Sequence, residues 1–333
     1  MDRNLFIQSG ATVRVLEKRL LDKAFFDRLI EAKDLQEALR ILQDSWYQPF
    51  VAKLGRPEDY EKALTEAQDA FYAEASTLSP EGKIISVPEL QFIYHNLKVL
   101  VKEYVLKKPL NELFVSVGDL DIPKLRSGVE EGKASYEVEY WYRQVKECID
   151  LFEETKDPQV IDIYFDNKYF EELAKLADEI GAPMIVEYVE DLIDFTNIKT
   201  LLRCSNQKRD WEFVKKVIIH GGNIDMLKLE RYFQEKMSSE SLIFRPYRIY
   251  FAVKNGLEAY ESTGTLSVFD KLMDNYFIGK LKDAKMINYG PEVIFAYEMA
   301  KGFEIKNLRI VLMSKLAGLS PDVIRERMRE SYV

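Results

Sequence analysis

Histidine and cysteine are nearly missing from this 333-residue sequence, which has two of each: His95 and His220, Cys148 and Cys204. A metal site built on two histidines would need residues far apart in the chain to converge, and the Glu-x-x-His motif of di-iron helical bundles does not occur. His95, inside a helical stretch, reads as a packing or surface residue. No C-x-x-C, G-x-x-x-x-G-K-[ST], G-x-G-x-x-G or G-x-S-x-G is present, so the common metal, nucleotide and nucleophile motifs are excluded as local sequence. No cofactor is expected. Glycine and proline are sparse, 15 and 11, and no low-complexity tract occurs, so the bulk of the chain should be ordered.

A basic excess is also lacking. The 47 Lys and Arg are outnumbered by 56 Asp and Glu, a net charge of -9, which argues against nucleic acid as a partner. No window of about 18 residues is free of charge, as a spanning helix requires. The best candidate, PELQFIYHNLKVLVKEYVL, is interrupted by Glu89, Lys98, Lys102 and Glu103. Membrane contact is therefore expected through a partner or a surface patch. With no signal-peptide order near the N-terminus and so few cysteines, a cytosolic, reduced protein is expected.

What is present is helical periodicity. In VRVLEKRLLDKAFFDRLIEAKDLQEALRILQ the apolar positions Val13, Leu16, Leu20, Phe25, Leu29, Leu35, Leu39 and Leu42 recur mostly at steps of three and four. YEKALTEAQDAFYAEA, YWYRQVKECIDLFEE, YFEELAKLADEIG and PDVIRERMRES read the same way. Strand signals are weak: KIISV at 83 to 87 is short, and VIIHGG at 217 to 222 ends in a glycine pair that reads as a helix C-terminus. Turn and cap chemistry punctuates the helices at Ser79-Pro80-Glu81-Gly82, Asp157-Pro158, Gly181-Ala182-Pro183, Gly290-Pro291 and Gly318-Leu319-Ser320-Pro321. The expected fold class is all-α.

A pattern of Asn, a branched aliphatic, a cation, any residue and an aliphatic pair occurs three times. Its copies begin at Asn96-Leu97-Lys98, Asn197-Ile198-Lys199 and Asn307-Leu308-Arg309. A period of about one hundred residues suits a small domain rather than a solenoid repeat. Aromatic landmarks precede each copy: Asp69-Ala70-Phe71-Tyr72, Asp166-Asn167-Lys168-Tyr169-Phe170 and Asp274-Asn275-Tyr276-Phe277. Gly118-Asp119-Leu120-Asp121 and Gly222-Asn223-Ile224-Asp225 follow the first two, with Gly318-Leu319-Ser320 as a shortened third. A partial copy opens the chain, where Asp34 stands as Asp121 does; each of these Asp or Ser residues is a candidate N-cap. Three modules follow, 1–105, 106–206 and 207–333, joined through continuous helices. The motif residues Asn96, Lys98, Asn197, Lys199, Asn307 and Arg309 read as a repeated structural device rather than a duplicated active site, a buried Asn being suited to fixing how helices meet.

The most enzyme-like feature is the acidic run Glu187, Glu190, Asp191 and Asp194, spaced to share one helix face. All-helical prenyl-transferring enzymes hold magnesium with such carboxylates, but they need two facing clusters and no second is evident. A solvated face or ion pairing between modules is the expectation. Trp46, Trp141 and Trp211 read as packing anchors.

The RVLEKRLL segment, Phe165-Asp166-Asn167-Lys168-Tyr169-Phe170, Asp194-Phe195-Thr196-Asn197-Ile198-Lys199 and above all the tail FEIKNLRIVLMSKLAGLSPDVIRERMRESYV resemble, in order and over essentially the whole length, the C subunit of the prokaryotic V-type (A-type) rotary ATPases, the relative of the eukaryotic d subunit. The resemblance implies a funnel of three similar helical modules about a pseudo-threefold axis. It implies a non-catalytic rotor component on the cytoplasmic face, peripheral to the membrane, coupling the D and F subunits of the central stalk to the proteolipid ring, and a monomer when isolated. In the C-terminal helix Arg325 and Arg329, four apart, are candidate partner contacts. The competing expectation is a free-standing helical adaptor, against which the long period argues.

Overall fold

The structure, a computed structural model, describes all residues except 81, 119 and 236; Glu81 and Asp119, quoted above in turn signals, thus lie outside the described residues. Among the described residues every regular element is helical. Besides five short 3-10 turns in these residues, the α-helices in chain order are α1 (Ile7–Leu16), α2 (Lys23–Glu31), α3 (Leu35–Leu42), α4 (Gln48–Val51), α5 (Tyr60–Ala75), α6 (Lys83–Leu106), α7 (Ile122–Glu131) and α8 (Glu139–Thr155). The second half carries α9 (Gln159–Ile180), α10 (Pro183–Asn206), α11 (Trp211–Val217), α12 (Met226–Gln234), α13 (Tyr250–Thr263), α14 (Ser267–Lys282), α15 (Pro291–Leu316) and α16 (Pro321–Arg327).

Caps set the boundaries of the shorter helices. The carboxylates of Asp34, Asp121 and Asp225 accept the N–H of Glu37, Lys124 and Lys228, satisfying an orphan donor in the first turn of α3, α7 and α12. Asp22 and Asp210 do the same for Phe25 and Phe213, and the caps at Asp22 and Asp34 divide the long amphipathic stretch near the N-terminus into α1, α2 and α3. Ser320 occupies the N-cap position of α16 without a side-chain hydrogen bond, and Pro321 opens the helix.

Three consecutive helix pairs frame the molecule: α5 with α6, α9 with α10, and α14 with α15. The last two turn sharply at glycine. Gly181 takes a left-handed φ of 68° and Gly290 a φ of 144°, and a proline then opens the next helix, Pro183 or Pro291. KIISV is the first turn of α6 rather than a strand. α6 runs through the expected module boundary at 105 to Leu106, and α10 ends at Asn206.

A large core joins all three pairs. A second core joins the two ends of the chain: Leu29, Leu39 and Leu42 from α2 and α3, with Leu64 of α5, pack on Leu308, Val311 and Leu312 of α15. Each such leucine contributes about 1.5–3 kcal/mol by burial. α15 is consequently buried over most of its surface, and Glu298, Lys301 and Glu304 are buried with it. The tryptophans pack: Trp141 meets Tyr94 edge-on at 5.9 Å, and Trp211 lies tilted against Phe233 at 5.8 Å.

Candidate functional site

Each motif asparagine grips a backbone segment that follows its helix. Asn96 donates from Nδ2 to Val115 O at 2.8 Å and accepts Val115 N–H at Oδ1, 2.9 Å. Asn197 repeats the pair on Ile219, 2.8 and 2.9 Å. Asn307 does so on Arg329, donating to its carbonyl at 3.2 Å and accepting its N–H at 3.0 Å. An amide can do this because it carries a donor and an acceptor side by side, matching one residue's N–H and C=O. The clamps also explain two departures from the sequence pattern. In VIIHGG the helix stops at Val217, before the glycine pair, because Ile219 is held by Asn197. The last helix stops at Arg327 because Asn307 takes the backbone of Arg329, so Arg325 and Arg329 do not share a helix face.

The residue three before each asparagine faces the same returning segment in the first two copies. Asp194 accepts the N–H of Asn223 at 3.1 Å and of Ile224 at 3.0 Å, and a Cβ on Gly222 would collide with its carboxylate. In the first copy that place is taken by Ile93, and a Cβ on Gly118 would lie 2.7 Å from its side chain. Burial raises the pKa of Asp194 to about 6, with the two N–H donors pulling the other way. In the third copy Glu304 reaches the opposite end of the chain, accepting Leu21 N–H at 2.5 Å, Tyr47 Oη–H at 2.7 Å and Lys301 Nζ at 2.6 Å. Lys301 and Glu304 are deeply buried, their side chains 2% and 4% exposed, and Lys301 lies over the rings of Trp46 at 4.4 Å and Tyr47 at 4.9 Å.

The motif cation links each pair to the next. Lys98 on α6 pairs with Asp166 on α9 at 2.5 Å, Lys199 on α10 with Asp270 on α14 at 2.6 Å, and Arg309 on α15 with Glu61 on α5 at 3.1 Å. The three links run head to tail and return to the first pair.

Of the two forms expected for the acidic run of α10, it takes ion pairing rather than a solvated face, its partner lying in the 207–333 stretch. Arg248 reaches Glu190 at 3.0 Å, Asp191 at 3.1 Å and Glu187 at 3.7 Å, and Tyr276 donates to Asp191 at 2.6 Å. Asp191 and Asp194 are buried. Among the described residues no group of His, Cys, Asp and Glu could hold a metal ion. Burial pushes the Cys148 thiol up to about 12, leaving it protonated and unreactive. His95 is exposed, with Nε2 2.8 Å from Leu113 O.

The six paired helices surround a cavity of about 560 Å³. Its wall includes Phe71, Phe170 and Phe277 from the first helix of each pair. Pro88, Val189 and Met299 come from the second helices, each eight residues before its motif asparagine. The sequence signal for the latter three was available in the repeat register, but they share no residue type. Arg309, Lys306 and Lys301 also border the cavity. Arg325 pairs with Asp322 and Glu31 on the surface, whereas Arg329 donates from Nε to the buried Asp274 at 2.7 Å.

Among known proteins, the family described as ATP synthase (C/AC39) subunit matches residues 10–327. The C subunit of the V-type sodium ATPase of Enterococcus hirae is 26% identical over 320 residues, covering 96% of this chain and 97% of that protein. The C subunit of the A-type ATP synthase of Methanocaldococcus jannaschii is 25% identical, covering 95% of this chain and 84% of that one. That of Thermococcus onnurineus is 25% identical, with 95% and 88% covered. No helix among the described residues is long and apolar enough to cross a membrane.

Proposed function

The chain belongs to the ATP synthase (C/AC39) subunit family, an accessory, non-catalytic part of a rotary ATPase, and from that premise we propose that it is the rotor socket joining the central stalk to the membrane ring. In this reading the modules 1–105, 106–206 and 207–333 form a funnel about a pseudo-threefold axis. The central cavity receives the foot of the stalk, made by the D and F subunits, and the opposite end stands on the proteolipid ring at the cytoplasmic face. The single observation that carries the reading is the cavity itself, walled at matching repeat positions by all three helix pairs and rich in aromatic and aliphatic surface.

A torque coupler must be stiff between its two contacts. The backbone clamps, the head-to-tail cation links and the core shared by the two chain ends supply that stiffness, because packed helices with few voids transmit strain rather than absorb it. A stalk tip seated in the cavity would bury apolar surface at its centre beside the half-exposed Lys306 and Arg309, an apolar core with polar groups around it being the usual anatomy of a protein interface.

Tagging the chain in its host and isolating it from gently solubilised membranes tests the proposal. The stalk components and the proteolipid ring should be recovered together. A Phe303→Glu variant, which places a charge in the cavity wall, should lose D and F while keeping its helical content. Recovery of the chain alone, or with unrelated soluble proteins, from membranes that contain the ATPase would favour a free-standing helical adaptor instead.

A further inference from the structure

Glu298 stands in the first half of α15 with no exposed surface, and neither carboxylate oxygen has a hydrogen-bond partner. Around it lie the apolar residues of the main core. The titratable groups that face it are Tyr72 on α5 and Glu89 on α6. Lys301, the next cation along its own helix, is turned to Glu304. A carboxylate anion in such a place has no donor to replace its lost water, and Glu89 adds like charge; both effects favour the protonated acid. We infer that Glu298 is a proton-dependent latch between α15 and the α5–α6 pair: neutral, it lets the seam close, and on losing its proton it forces the seam to open toward water.

The sign follows from linkage. A carboxyl whose pKa is raised on folding favours the folded state most at low pH. That contribution disappears as pH rises from the ordinary carboxylate range up to the raised value, by up to about tenfold in the folding equilibrium constant per pH unit. The loss should be largest where α15 packs on α5 and α6 around Glu298, because the titratable groups that face it, Tyr72 and Glu89, lie on those two helices. The first halves of α6 and of α15 also wall the central cavity, through Pro88 and Met299, so its shape is coupled to the same proton.

The test compares the full-length chain with Glu298→Gln and Glu298→Met by urea unfolding at about pH 6, 7, 8 and 9, with hydrogen exchange followed by mass spectrometry at the two extremes. The wild type should lose stability with rising pH more steeply than both variants, by up to about tenfold per unit. At the alkaline end its exchange should rise in 83–106 and 291–316 relative to the variants, with 139–155 unchanged. Parallel stability profiles in all three proteins would overturn the inference. So would a loss of protection in the wild type at alkaline pH that, after division by the base-catalysed intrinsic rate of each amide, is spread evenly over the chain, an outcome that stays readable if either variant fails to fold.

Discussion

Asn197 and Ile219 hold each other at two points, Nδ2–H to the carbonyl at 2.8 Å and the backbone N–H to Oδ1 at 2.9 Å, with both bonds buried. The contact ends a helix, fixes the angle of the chain after it and recurs at Asn96 and Asn307. It is the smallest unit from which the repeat is built.

Replacing Asn197 by alanine leaves the N–H and C=O of Ile219 buried without partners. Each such group costs about 1–3 kcal/mol, so Asn197→Ala should destabilise the chain by about 2–4 kcal/mol in urea unfolding. Asn96→Ala should cost less, because its bonds to Val115 are only partly buried. Equal, small losses at both positions would show that the clamps are incidental to stability.

Lys301 and Glu304 form a buried pair whose loss is asymmetric. Lys301→Met abandons a carboxylate that keeps only Tyr47 and Leu21 as donors; Glu304→Gln abandons an ammonium among aromatic rings. Each single change should cost about 3–5 kcal/mol. The double variant should cost less than the two together, with a coupling of at least about 1 kcal/mol in a double-mutant cycle. Strict additivity would mean that the two charges are independently solvated.

Asp194 sets an acid-side pH dependence. Its pKa is raised to about 6 by burial, so its contribution to stability is complete at low pH and is lost as pH rises through about 6. A shift of about two units corresponds to about 3 kcal/mol. Unfolding free energies of Asp194→Asn should therefore follow a flatter course than the wild type between about pH 4 and 7. Curves that stay parallel over that range would assign the titration to another group.

The parts of this fold visible in the sequence are those written locally. Asp34, Asp121 and Asp225 cap the helices that start beside them, and α5 matches its amphipathic stretch end for end. What escaped was decided by partners far along the chain. Ile218 and Ile219 follow a helix and have β-branched side chains, but Asn197 determines where the helix stops. Ion pairing of the acidic run is one of two forms its spacing allows, but the partners that bury Asp191 and Asp194, Arg248 and the turn at Asn223 and Ile224, are not written near them. The cavity residues Pro88, Val189 and Met299 share a register and no side-chain chemistry, so a search for repeated residue types passes over them.

Arg325 and Arg329 look equivalent in sequence and should separate by experiment. Arg329 is 14% exposed, its Nε held by Asp274, which is itself buried and shared with Lys306 at 2.6 Å. Arg329→Glu would put an anion against that carboxylate and should cost about 2–4 kcal/mol, so any loss of assembly in this variant follows from misfolding at the C-terminus. Arg325 pairs with Glu31 and Asp322 in solvent, where such pairs add little. Arg325→Glu should leave the unfolding midpoint where it was. A co-purification that then loses the stalk or the ring isolates Arg325 as a contact residue, because nothing in the fold depends on it; intact recovery confines its part to the surface pair with Glu31. The comparison works only because the clamp from Asn307 turns Arg329 off the helix and into the protein while leaving Arg325 on it.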